Sequence, residues 1–256
     1  MAHNLIGKNA LITGASSGIG RAVAEEMIGK VKRLYLVARR TELLDEIKIA
    51  NSESNTDIIP IECDVSVKSE VDKAYQSIKE NVDSIDIAIL NAGIGFNMKP
   101  ENYDYNWADK IIGTNFLGVI YWIDQLLPDM MKKKSGIIAA TSSIADNRGY
   151  SGSGFYCASK AALTNYLEGL RIELRNYNIK VITIRPGFVK THLTDKNKFI
   201  MPFMMPPGKA AKKIVKGIHK GKRVIQFPWP MILITKLIGA LPGGVYEFLE
   251  RFGPKH

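Results

Sequence analysis

"ALITGASSGIGRAVAEEM", residues 10–27, runs from an apolar, β-branched stretch through three glycines into a segment with helical spacing. A short apolar run followed by a 3.6-residue period reads as a buried strand turning into an amphipathic helix. Gly14, Gly18 and Gly20 then fall on the joint between the two. Glycines at such a joint let the chain turn tightly, let the backbone approach a pyrophosphate and let the helix pack on the sheet, while the helix N-terminus offers N–H donors to an anion. By itself the triplet is weak evidence, because a plain strand-to-helix turn capped by glycine and serine uses the same letters.

The rest of the chain supplies the context. Residues 8–13, 33–38, 58–61, 85–90, 136–142 and 179–185 are short apolar runs with the composition of buried strands, and 223–227 offers a seventh. Helical spacing fills the gaps at 18–29, 41–50, 67–80, 104–131, 154–177 and 208–221. Strands alternating with helices require a parallel sheet covered on both faces, since right-handed crossovers lay a helix over each joint. The expected fold is α/β, a doubly wound parallel sheet in the order 3-2-1-4-5-6 with a seventh strand, and its ligand belongs beyond the carboxyl ends of the strands, where the order reverses. One domain is expected over residues 1–256, with 188–207 as a substrate lid and 227–256 as an apolar and basic C-terminal extension.

Composition narrows the function classes. A hydrophobic fraction of 46% and a charged fraction of 23% over 256 residues exclude a disordered or fibrous chain. Cys63 and Cys157 have no spacing that suits a disulfide framework, and no metal site is expected. The start "MAHNLIGKNALITG" has one lysine and no long apolar region, so no signal peptide is read there and a cytoplasmic protein is expected. The net charge of +10 is uneven: residues 206–256 carry 10 Lys/Arg and 2 Asp/Glu. That excess sits on one lysine-rich helix and an apolar tail instead of on a basic stripe with stacking aromatics, so no nucleic-acid partner is expected.

The second strand identifies the nucleotide. A cofactor with a free ribose 2′-OH is held there by Asp or Glu, whereas this chain has Ala38 followed by Arg39 and Arg40. Guanidinium groups suit a 2′-phosphate through charge-assisted hydrogen bonds, so NADP(H) is predicted over NAD(H).

Two Tyr-x-x-x-Lys steps occur, Tyr75–Lys79 and Tyr156–Lys160, and about one is expected by chance in a chain this rich in both residues. Tyr75 has Glu62, not a serine, thirteen residues upstream and lies in a polar helix, which reads as a helix surface. Tyr156 instead begins the helix after the fifth strand, and Ser143, thirteen residues before it, ends that strand. Both side chains are therefore expected at the carboxyl edge of the sheet, with Tyr156 and Lys160 on one helical face.

Taken with these residues, the chain resembles the short-chain dehydrogenase/reductase family in its compact, single-domain Rossmann form. The family's marks appear in order as "TGASSGIG" (13–20), "CDV" (63–65), "NAG" (91–93), Asn115 in "TNFLG", Ser143, "YCASK" (156–160) and "RPGFVKT" (185–191). One departure is Leu90, where the family usually has a second asparagine before "NAG". The resemblance implies hydride transfer between nicotinamide and a carbonyl or alcohol. In it Tyr156 is the general acid/base, Lys160 lowers the phenol's pKa and binds the nicotinamide ribose, Ser143 hydrogen-bonds the substrate oxygen and Asn115 holds a water in the proton path. It further places Gly14, Ser16, Ser17, Gly18, Ile19 and Gly20 on the cofactor, Asp64 and Val65 on the adenine, Asn91, Ala92 and Gly93 close to the cofactor, and Pro186, Gly187, Val189 and Thr191 beside the nicotinamide. Homodimers or homotetramers are implied as well.

On the substrate side, residues 188–207 are rich in Phe and Met and bounded by prolines, which suits closure over a bulky hydrophobic carbonyl or alcohol, with packing on the chain's own body as the plain alternative. Residues 227–246 carry one charge, Lys236. Pro228, Pro230 and "LPGG" at 241–244 leave about ten helical residues there, roughly 15 Å, too short for a hydrocarbon core of about 30 Å. The segment is expected to pack over the substrate cleft or a second subunit, with peripheral membrane contact through 227–252 as the alternative. A sensor or scaffold protein that binds NADP(H) without turnover is the competing function.

Overall fold

The computed structural model describes residues 4–195 and 200–251. Part of the expected lid, 196–199, and the end of the C-terminal extension, 252–256, lie outside them. The strands are β1 (Asn9–Thr13), β2 (Arg33–Ala38), β3 (Asp57–Glu62), β4 (Ile87–Leu90), β5 (Gly136–Thr141), β6 (Ile179–Pro186) and β7 (Val224–Phe227). All pair in parallel, in the order 3-2-1-4-5-6-7, as the alternation predicts. Because β1 pairs with β2 on one side and β4 on the other, the order reverses between β1 and β4, and a crevice must open at their carboxyl ends.

The helices are α1 (Gly18–Met27), α2 (Glu42–Ala50), α3 (Lys68–Lys79), α4 (Asn106–Ile112), α5 (Gly118–Lys133), α6 (Gly154–Glu173), α7 (His192–Asp195), α8 (Pro207–His219), α9 (Trp229–Ala240) and α10 (Gly243–Glu250). Successive side chains of a strand point to opposite faces, so each strand feeds two cores. Ala10 and Ile12 of β1, Ile87 and Ile89 of β4 and Ile182 and Ile184 of β6 pack under α1, α2 and α8. Leu11, Ala88, Leu90, Ile138 and Ala140 pack under α3, α5 and α6, where Trp122 is almost wholly buried. This two-sided burial is why the strands read as continuous apolar runs rather than as alternating ones.

Two elements differ from expectation. The helix anticipated over 104–131 is broken by a π turn at 113–117, where the Gly118 N–H donates to the Gly113 carbonyl across five residues. Gly118 comes so close to β3's exit that a Cβ there would lie 2.8 Å from the Val65 carbonyl oxygen, a contact only glycine permits. The apolar tail forms two helices, α9 and α10, with Pro230 in the first turn of α9, where its missing N–H costs nothing. No helix among the described residues is long and apolar enough to cross a membrane.

Candidate active site

The turn after β1 is built as its glycines require. Gly14 and Gly18 have φ of +67° and +58°, in the left-handed region, and a Cβ on Gly20 would lie 2.1 Å from the Gly14 carbonyl oxygen. Arg40 reaches back over this turn and donates from Nη2 to Ser16 Oγ and Ser17 Oγ, each at 3.3 Å. A guanidinium and two hydroxyls therefore converge beside the N-terminus of α1. Arg39 turns instead to Asp64, with Nη1 3.5 Å from Oδ2. Burial pushes the Asp64 carboxyl up, but hydrogen bonds from Ser66 and the charge of Arg39 outweigh it and leave the group below its usual range. Val65 is buried in the core, so Asp64 presents the accessible side chain of this pair.

The exit of β4 packs against that turn. Thr13 Oγ1 accepts the N–H groups of Asn91 and Ala92 at 3.0 and 3.1 Å, and Thr141 Oγ1 donates to Asn91 Oδ1 at 3.2 Å. Leu90, the departure from the family pattern, is 1% exposed and fills the core, so the turn that follows it keeps its hydrogen bonds. Gly93 leaves a hollow in which a Cβ would stand 3.2 Å from Asn115 Oδ1 and 3.5 Å from Lys160 Nζ. Asn115 is wholly buried in the π turn. Its Oδ1 accepts the Ile94 N–H, and its Nδ2 donates to the Ile94 carbonyl and to Ser159 Oγ. Its amide thus fixes the strand exit to α6.

Ser143 ends β5's exit and Tyr156 begins α6, so both stand at the carboxyl edge. Ser143 Oγ accepts the Ala145 N–H at 3.1 Å, capping a short 3-10 turn over 144–146, and its hydroxyl faces the Tyr156 phenol. Lys160 is 3% exposed; its Nζ donates to the Thr141 carbonyl at 2.8 Å and lies 5.7 Å from the centre of the Tyr156 ring. Burial raises the Tyr156 phenol above its ordinary value, the Ser143 hydroxyl pulls it back, and Cys157 and Asp146 add to the rise. The Lys160 ammonium is directed at a carbonyl, and burial brings its own pKa down to about 8, against a smaller upward push from Asp146.

The segment after β6 closes the arrangement. Gly187 N–H donates to the Phe227 carbonyl at 2.7 Å, and Val189 is buried beside Met205. The Thr191 methyl would stand 3.1 Å from a Cβ on Gly18, and Leu193 of α7 lies with the Tyr156 ring edge around Gly95. The lid residues that can be described therefore bridge the phosphate turn and Tyr156. The tail packs on the loop between Ser143 and Tyr156. Asn147 donates to the Thr235 carbonyl, Arg148 to the carbonyls of Gly239 and Leu241, and Tyr246 Oη to the Gly149 carbonyl, so α9 and α10 clasp the loop between Ser143 and Tyr156. Trp229, Leu233 and Leu237, one stripe of α9, remain exposed.

Sequence reasoning missed Thr13, Thr141, Asp146 and Leu193. A buried threonine at the end of an apolar strand was the available signal for the first two, since a hydroxyl there must find a partner. Leu193 carried no signal.

A family profile described as short chain dehydrogenase matches residues 8–199. An uncharacterized oxidoreductase of Myxococcus xanthus is 32% identical over 95% of this chain and 96% of its own length. An NADP-dependent 3-hydroxy acid dehydrogenase of Schizosaccharomyces pombe is 35% identical over 74% of each chain. The crystal structure of a short-chain dehydrogenase/reductase from Burkholderia phymatum in complex with NAD superposes with a TM-score of 0.84 at 22% identity, covering 92% of this chain and 94% of that one. The last two differ in nicotinamide cofactor, so the preference of this chain must come from its own residues.

Proposed function

The chain belongs to the short-chain dehydrogenase family, and from that premise we propose that it is an NADP(H)-dependent oxidoreductase interconverting a carbonyl and a secondary alcohol on a bulky, apolar substrate. The observation that carries the reading is the grouping of Ser143, Tyr156 and Lys160 at the carboxyl edge of the sheet, with Lys160 against Gly93 and the Tyr156 ring against Gly95. A sensor or scaffold needs the glycine turn and has no use for that grouping.

The residues present fit the cofactor: glycines at positions no side chain could occupy, helix N–H donors for a pyrophosphate, and Arg40 with Ser16 and Ser17 for a 2′-phosphate. The NADP-dependent relative supports the same preference. When bound, the nicotinamide would supply hydride in reduction and take it up in oxidation. Tyr156, raised by burial, keeps its proton at neutral pH and so is suited to deliver it to a carbonyl oxygen during reduction. The Ser143 hydroxyl, which faces the phenol, would donate to that oxygen and stabilise negative charge growing on it. Lys160, when protonated, would steady the phenolate left on Tyr156, and its bond to the Thr141 carbonyl fixes the ammonium for that task. Leu193, with Met204 and Phe203 exposed nearby in sequence, favours an apolar ligand on the lid side.

The test is oxidation of NADPH, against NADH, with ketosteroids, long-chain 3-oxo compounds, quinones and aromatic aldehydes. Arg40→Ala is expected to weaken NADPH by about 2 kcal/mol, roughly 30-fold, and to leave NADH nearly unchanged. A wild-type preference for NADH would refute the cofactor assignment.

A further inference from the structure

Behind the reacting face lies a buried carboxylate that the acid–base reading does not use. Asp146 closes the 3-10 turn that Ser143 caps, and its side chain is 1% exposed. One carboxylate oxygen is ion-paired with Arg185 of β6, and the other accepts the Thr164 hydroxyl at 2.6 Å. With its proton on the carboxylate, Thr164 accepts the Ser142 hydroxyl at 2.7 Å, and Ser142 Oγ also stands 3.0 Å from the Lys160 backbone carbonyl. A buried carboxylate is tolerated only where it is paired and hydrogen-bonded, and this one is bonded on both oxygens.

We propose that Asp146 is a positioning residue of the reaction centre, whose carboxylate ties the turn carrying Ser143 to the stretch of α6 carrying Lys160 and sets the pH range over which Tyr156 works. The proposal rests on Tyr156 being the acid–base group. The connection is short and has no slack: Ser143 is three residues before Asp146, and Thr164 is one helical turn after Lys160. Any shift of the carboxylate therefore moves hydroxyl and ammonium relative to each other. The same negative charge makes a phenolate harder to form and an ammonium easier to keep, which matches the direction in which Asp146 acts on Tyr156 and on Lys160. The other titratable or charged groups facing the pair are Cys157 on α6 and Arg185 from β6, while Arg148 and Glu250 stand farther out, beside Tyr150.

The test compares Asp146→Asn with wild type in kcat, in the pH profile of kcat/KM and in tyrosinate absorbance, with Tyr156→Phe subtracted to isolate the one phenol. Loss of the carboxylate is expected to lower kcat about tenfold to a hundredfold through misplacement. It should also move the pH limb and the Tyr156 titration toward acid. Thr164→Val keeps the charge and cuts the connection, so it should lower kcat and leave the Tyr156 titration in place. A folded Asp146→Asn chain with wild-type kcat and titration would overturn the proposal, and if that chain does not fold, wild-type kcat in Thr164→Val would do so. Should wild type reduce no carbonyl at all, the oxidoreductase reading fails first, while the absorbance titration still decides whether Asp146 governs Tyr156.

Discussion

Tyr75 and Tyr156 each stand one helical turn before a lysine, and the molecule treats them in opposite ways. Around Tyr75 one carboxylate meets both side chains: Asp129 Oδ2 accepts the phenol at 2.6 Å and Lys79 Nζ at 2.7 Å, and Lys79 donates to the Asp83 carbonyl as well. The sequence reading of this pair as a helix surface holds for Lys79 but not for Tyr75, whose ring is 6% exposed and belongs to the core under α3 and α5. Around Tyr156 the lysine is taken by a backbone carbonyl, and the phenol faces the Ser143 hydroxyl. The motif's letters are the same. What differs is whether a fixed charge has already satisfied the phenol, and that depends on where the helix begins. Tyr156 opens α6 at the carboxyl edge of the sheet, while Tyr75 lies in the second half of α3, heading back to the amino edge.

The comparison breaks most directly by removing each hydroxyl in turn. Tyr156→Phe is expected to lower turnover by about a thousandfold, within the span of general acid catalysis, with NADPH binding retained in a fluorescence titration. Tyr75→Phe should leave turnover unchanged. If the two variants lose activity equally, the distinction between an open and a satisfied phenol has no functional content.

How much of this was legible beforehand depends on the range of the interaction. The sheet order, the glycine turn and the Ser143, Tyr156 and Lys160 grouping were readable because each rests on local spacing or on the regular alternation of elements. Asp129 and Tyr75 are 54 residues apart, and nothing in a helical period announces that a carboxylate on α5 will meet a phenol on α3. Arg39 and Arg40 were read as equivalent, yet one meets Asp64 and the other Ser16 and Ser17, because adjacent side chains leave a turn in different directions. The π turn at Asn115 escaped because no local spacing announces it, and the close approach of Gly118 to Val65 beside it is a tertiary contact.

The loop between Ser143 and Tyr156 sharpens the contrast, since it is held by chain nearly a hundred residues away. Arg148 donates to two carbonyls at the end of α9 and stacks over Tyr246, with its guanidinium carbon 5.1 Å from the ring centre. Arg148→Ala leaves those carbonyls unpaired and loosens the loop that sets the Ser143–Tyr156 geometry. A fall of about fivefold to tenfold in kcat is expected, smaller than any change at the reacting groups themselves. Limited proteolysis should cut the variant faster between residues 146 and 152. Unchanged kcat together with unchanged cleavage would mean that the tail merely rests on the loop.

The smallest effect belongs to the satisfied pair, and its pH dependence reveals its origin. Burial pushes the Asp129 carboxyl up, but hydrogen bonds from Lys79 and Tyr75 more than offset this and leave it below its ordinary value. A carboxyl depressed in the folded state stabilises the fold fully at pH above its unfolded pKa, near 3.9, and that contribution is lost as the pH falls through the lower folded value. Asp129→Asn should therefore cost about 1–2 kcal/mol at pH 7, or about 5 °C in Tm for a chain of this size, with kcat untouched. The gap from wild type should narrow in thermal melts taken progressively below about pH 4, where the native carboxylate begins to protonate as well. A gap of constant size at every pH would assign the loss to packing around Tyr75, and the carboxylate would then no longer be what separates the two tyrosines.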